Sequence, residues 1–89
     1  MASLRITDGF KEDLLMVESD RVFEEILHVV EMLQTVPTLG SRDLPASIRH
    51  SFGNCARKIP VGPFDLVTIY DESAEIVTVA GLIHQRAAW

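Results

Sequence analysis

The stretch "ARKIPVGPFDLVTIYDESAEIVTVAGLI", residues 56–83, decides the fold. It divides into three beta-like runs, ARKIPV (56–61), FDLVTIYD (64–71) and EIVTVAGLI (75–83), separated by the turn formers Gly62 and Pro63 and by the acidic segment "DESAE". Strands joined this closely predict an antiparallel meander. Pro60 has no N–H to give to a ladder, so the first run suits a sheet edge. In the middle run Phe64, Leu66, Thr68 and Tyr70 share one side, and Val67 and Ile69 share the other. Both sides are fairly apolar, and helices are expected over one of them.

Upstream, "SLRIT" alternates Leu4 and Ile6 with Ser3, Arg5 and Thr7, the period-two signature of a half-buried strand. Asp8 then offers an N-cap oxygen to "GFKEDLLMV", where Phe10, Leu14 and Val17 fall on one face of a helix. Ser19 or Asp20 caps a second helix that runs toward Pro37. Its residues Val22, Phe23, Ile26, Leu27, Val29, Val30 and Leu33 form one broad apolar sector. "TLGSRDLPASIRHSFGN" reads as an irregular connection that Leu39, Leu44, Ile48 and Phe52 pin to the core. The expected architecture is a two-layer α+β domain spanning residues 1–89: an N-terminal strand, a helical hairpin and a three-stranded antiparallel meander.

Eighty-nine residues allow one core, and hydrophobic residues at 47% against charged residues at 24% give a folded-protein balance. A single cysteine, Cys55, makes no internal disulfide, and "MASLRITDGF" lacks the layout of a secretory signal. A reducing cytoplasmic location is therefore expected. No apolar run approaches the roughly 18 residues of a membrane span, so no membrane partner is expected. The net charge of −5 sits in the first half: residues 1–41 hold eight acids against Arg5, Lys11 and Arg21, while residues 42–89 hold five of each sign. Such a balance disfavours general nucleic-acid affinity unless Arg49, Arg57, Lys58 and Arg86 build a local patch.

Motifs for phosphate loops, zinc hydrolases and paired cysteines are absent, so no cofactor and no metal site are expected. Cys55 stands near Arg57 and Lys58, a setting that lowers a thiol pKa, yet a lone cysteine at a strand start fits a small core residue better. His28 lies among Glu24 and Glu31 on the solvated side of the second helix, and His50 in the linker has no recognisable partner. The tail "IHQRAAW" is different, because His84 and Arg86 directly follow the last strand and precede the only tryptophan, Trp89. Two readings stay open. The group binds a phosphate or moves a proton, or His84 and Trp89 simply cover the sheet's edge while Arg86 pairs with an acid.

The order of elements, together with "RKIPV...LVTIYDESAEIVTVAGLIHQRAAW", resembles the RelE/ParE superfamily of toxins from bacterial type II toxin-antitoxin modules, and the "IH.R..W" ending looks most like the ParE branch. The resemblance implies a strand, a helical hairpin and a small antiparallel sheet, neutralised by a cognate antitoxin. A ParE-like chain implies DNA gyrase as target, with His84, Arg86 and Trp89 as contact residues. A RelE-like chain implies ribosome-dependent mRNA cleavage, with Arg57, Lys58, His84 and Arg86 as the catalytic set. Trp89 replaces the tyrosine that branch often carries, and Asp65 stands where basic residues are common. An inactive relative that only binds antitoxin is the third implication. For all three, the surplus apolar surface at Leu15, Met16, Val22 and Val29 is expected to receive the antitoxin or a second copy of the chain.

Overall fold

A computed structural model describes the backbone of residues 1–88 and the side chains of residues 1–86. In chain order the elements are β1 (Ser3–Ile6), α1 (Asp8–Leu14), α2 (Asp20–Met32), α3 (Ala46–Phe52), β2 (Ala56–Val61), β3 (Phe64–Asp71), β4 (Ile76–His84) and a single turn, α4 (Gln85–Ala88). One four-stranded sheet has the order β1-β4-β3-β2. The meander is antiparallel throughout, and β1 joins it in parallel along β4. The expected strand, helical hairpin and meander are present in that order.

Local chemistry fixes the ends. Thr7, rather than the expected Asp8, caps α1 by accepting from the Phe10 N–H, and Ser19 caps α2 by accepting from the Val22 N–H. The second helix stops at Met32, short of Pro37, with the chain descending through turns that close on the Met32 carbonyl. Pro60 lies on β2 at the sheet's edge, as its missing N–H requires. The β3–β4 turn is organised by Asp71, whose carboxylate accepts from the Ser73 hydroxyl (2.7 Å) and the Ala74 N–H (3.2 Å).

Strand β4 carries one residue more than β3 opposite it. Thr68 faces Val79 and Val67 faces Gly81, which leaves Ala80 as a bulge. The bulge shifts the alternation, so that Val77, Val79, Leu82 and His84 all belong to one side. That side packs under Phe10 of α1, Ile26 and Val30 of α2 and Leu33 just after it, together with Ile59, Val61 and Leu66.

The other side is covered too. Residues 46–52, expected as irregular linker, form α3, which lays Leu44, Ile48 and Phe52 over Ala56, Val67, Ile69, Ala80 and Ile83. The expected pinning residues do their work here, except Leu39, which packs into the core under α2. Phe52 lies so close over Gly81 that a Cβ there would sit 3.0 Å from its ring. To the helices expected over one face the structure adds a short third layer on the other. Both faces of β3 are apolar because both are buried.

Candidate functional site

The candidate surface lies where β4 ends beside the α1–α2 turn. His84 is the last residue of β4, directly opposite Phe64, and the two rings meet edge to face at 5.4 Å between centroids and 75° between planes. The chain then turns helical at once. Gln85 clasps this corner: its N–H donates to the Pro63 carbonyl (2.9 Å), and its side-chain amide donates to the Phe64 carbonyl (3.2 Å) and more weakly to Gly62 and to buried Asp65. The Arg86 N–H donates to His84 Nδ1 at 3.2 Å, so neutral His84 carries its proton on Nε2. His84 and Arg86, expected to follow the last strand together, part here: His84 ends β4, and the turn bends Arg86 out of the strand's line. Trp89 lies outside the described residues.

His84, Phe64 and Pro63 form one wall of a hollow of about 230 Å³, and Met16, Val17 and Val22 form another. Leu15 and Met16 stand beside it at 84% and 78% exposure, the most exposed large apolar side chains of the hairpin. Two of the residues expected to meet the antitoxin, Met16 and Val22, thus share a hollow with the expected target-contact residue His84. Val29 lies two turns further along α2, about 10 Å away. It lines a separate open groove of about 560 Å³ with His28, Pro60 and Val61, flanked by Arg21, Glu24 and Glu25. Together the two hollows form an interrupted strip along the α2–β2 side of the molecule.

The four residues of the ribonuclease-type set do not converge. His84 is level with Phe64 on β3 and Val61 on β2, whereas Arg57 is level with Thr68. Four residues along a strand and two strand spacings across separate their backbones by roughly 16 Å. Lys58 alternates to the face under α3, away from the His84 side. Arg86 makes no ion pair among the described residues.

Other expectations change. Cys55 is exposed and free, not a core residue, because the strand begins one residue later and Ala56 takes the buried position. His28 sits on the rim of the α2 groove, among acids as expected. The roles of Phe64, Pro63 and Gln85 were not legible in the sequence, since a glutamine that clasps a hairpin carries no spacing signature.

No protein-family profile and no curated protein matches the chain. Solved structures do. The RelBE2 toxin-antitoxin complex from Mycobacterium tuberculosis contains a chain that superposes with a TM-score of 0.69 at 14% identity, over 94% of this chain and 98% of that one. The intact RelBE toxin-antitoxin complex of E. coli gives 0.68 at 13%, over 94% and 96%. The chain shares the fold of these chains from RelBE complexes. Within that fold it carries an acidic surface, a basic set scattered across the sheet and an apolar hollow at the hairpin turn. No helix among the described residues is long and apolar enough to cross a membrane.

Proposed function

We propose that the chain is the growth-inhibiting toxin of a type II toxin-antitoxin module and that it acts in the ParE-like manner, by protein contact with DNA gyrase in the cytoplasm. The observation that carries the choice of mechanism is the separation of Arg57 and Lys58 from His84. Lys58 on the opposite face cannot share a phosphate with His84, and Arg57 would have to reach across roughly 16 Å of backbone separation to do so, whereas a protein partner needs an anchor pocket with a polar rim. The His84 hollow, with Leu15 and Met16 beside it, offers that anchor. The cognate antitoxin takes the strip along half-buried Val22 and Val29, where an amphipathic segment folding on docking covers the apolar surface left open.

Purified protein in excess is expected to inhibit gyrase supercoiling or trap cleavage complexes, and His84→Ala with Arg86→Ala to abolish the effect. Unchanged supercoiling removes gyrase as the target. A second reading, ribosome-dependent mRNA cleavage, draws support from the likeness to chains of RelBE complexes. Codon-positioned cuts in a ribosome assay, lost in the same double variant, would establish it. A chain harmless without its antitoxin and silent in both assays would be a complex-forming relative only.

A further inference from the structure

At the end of the sheet opposite His84 a second, more polar pocket of about 280 Å³ is lined by Thr38, Arg42, Cys55, Arg57, Tyr70 and Glu72. Arg57 and Tyr70 are both half-buried, and they are diagonal cross-strand neighbours on one face, since Arg57 pairs with Thr68 and Tyr70 stands two residues on. Arg42 lines the pocket from the loop before α3, and the backbone beside it is anchored. The preceding residue, Ser41, makes a two-way backbone bridge to Lys58 with both bonds at 2.9 Å. Gly40 permits the approach: its φ is +105°, and a Cβ there would lie 2.6 Å from the Lys58 carbonyl oxygen. Two arginines from distant parts of the chain are thus held at one pocket. Among the described residues neither guanidinium has a carboxylate within 4.0 Å, although Glu72 lines the same pocket. A half-buried guanidinium without a counter-charge gains from any anion that restores its lost hydration.

We propose that this pocket binds the phosphate group of a small phosphate monoester. Two bidentate guanidiniums with the Tyr70 and Thr38 hydroxyls present roughly six donors, which matches the three terminal oxygens of a phosphate and exceeds the roughly four acceptor sites of a carboxylate. The pocket's size sits near the lower end of small-molecule sites. A polyanion is disfavoured by Glu72 at the pocket and by the net charge of −5. Glu72 is placed to accept from a hydroxyl of the ligand, which selects an ester that carries one, such as a sugar phosphate, over the bare ion. The site shares no residue with the His84 hollow and so stands apart from the gyrase reading, whereas Arg57 also belongs to the set that the ribonuclease reading would use.

Calorimetric titration of the full chain with a ribonucleoside 5′-monophosphate, inorganic phosphate, acetate and a short single-stranded DNA tests this. The monophosphate and inorganic phosphate are expected to bind saturably at one site, with acetate at least tenfold weaker. Arg42→Gln and Arg57→Gln should each weaken phosphate at least tenfold, Arg5→Gln, a charge-matched change on β1, should leave it within twofold, and Glu72→Gln should tighten inorganic phosphate. Arg42 is an exposed loop residue, so its variant reports on binding even where Arg57→Gln perturbs folding. Absence of saturation, equal weakening by Arg5→Gln, acetate binding as well as phosphate, or DNA binding more tightly than the monophosphate through the same arginines would each overturn the proposal.

Discussion

Asp13 shows how a single side chain completes a sheet. Strand β1 leaves β4 after Ile6, and beyond that point the edge of β4 would carry open backbone groups. The Thr7 hydroxyl donates to the Val79 and Ala80 carbonyls (3.0 and 3.1 Å), and the Asp13 carboxylate accepts from the Leu82 N–H (3.2 Å). Asp13→Ala leaves that buried N–H without its acceptor and is expected to lower unfolding stability by about 1–3 kcal/mol in urea titration. An unchanged midpoint would mean water replaces the carboxylate at no cost. At the other end of β4, Asp71 is held below the ordinary carboxylate range first by the Ser73 hydroxyl and then by the Ala74 N–H. The sign follows: a depressed folded pKa contributes stability that is fully present above the ordinary aspartate value near 3.9 and is lost as pH falls from there through the lowered folded value. Asp71→Asn should flatten this part of the acid dependence, read from amide exchange in the β3–β4 turn between pH 5 and 3. These partners lie 69 residues apart for Asp13 and within three for Asp71. Only the local one was within reach of sequence patterns.

At the level of elements, strand alternation carried furthest. The meander, the edge position of the Pro60 strand and the apolar character of both faces of β3 were all legible from period-two spacing and turn residues. Helix α3 was not, because seven residues containing Ser, Arg and His between Pro45 and Gly53 carry too little periodicity to outweigh the breakers around them. Its evidence was indirect: a β3 with two apolar faces needs two covers. Ile48, fully buried against Ala56 and Val67, holds α3 to the sheet. Ile48→Ala is expected to destabilise the fold by about 2–5 kcal/mol and to raise amide exchange in α3 more than in α2. Equal protection of both helices would show that α3 is anchored by something other than this contact. The β2 edge resists strand addition, because Ser41 already bridges Lys58 and Pro60 offers no N–H. On the reading proposed above, the antitoxin segment is therefore expected at the apolar strip along α2 rather than at this edge.

For the molecule as a whole, the fold and its likeness to chains of RelBE complexes were readable from the order of elements. The site was readable only in part. His84 was singled out from its place after the last strand, but its neighbours Phe64, Met16 and Val22 are brought to it by tertiary packing that no local spacing encodes. The scattering of Arg57 and Lys58 is likewise a matter of strand order and register. It distributes the basic residues over separate surfaces, which is the ground of the proposed protein target. The most direct test of that account is growth after induced expression of the chain alone, beside an equally abundant His84→Ala, Arg86→Ala variant. Arrest by the unaltered chain, lost in the double variant and relieved by co-expression of an antitoxin, is the predicted result; undisturbed growth with folded, abundant protein would contradict it.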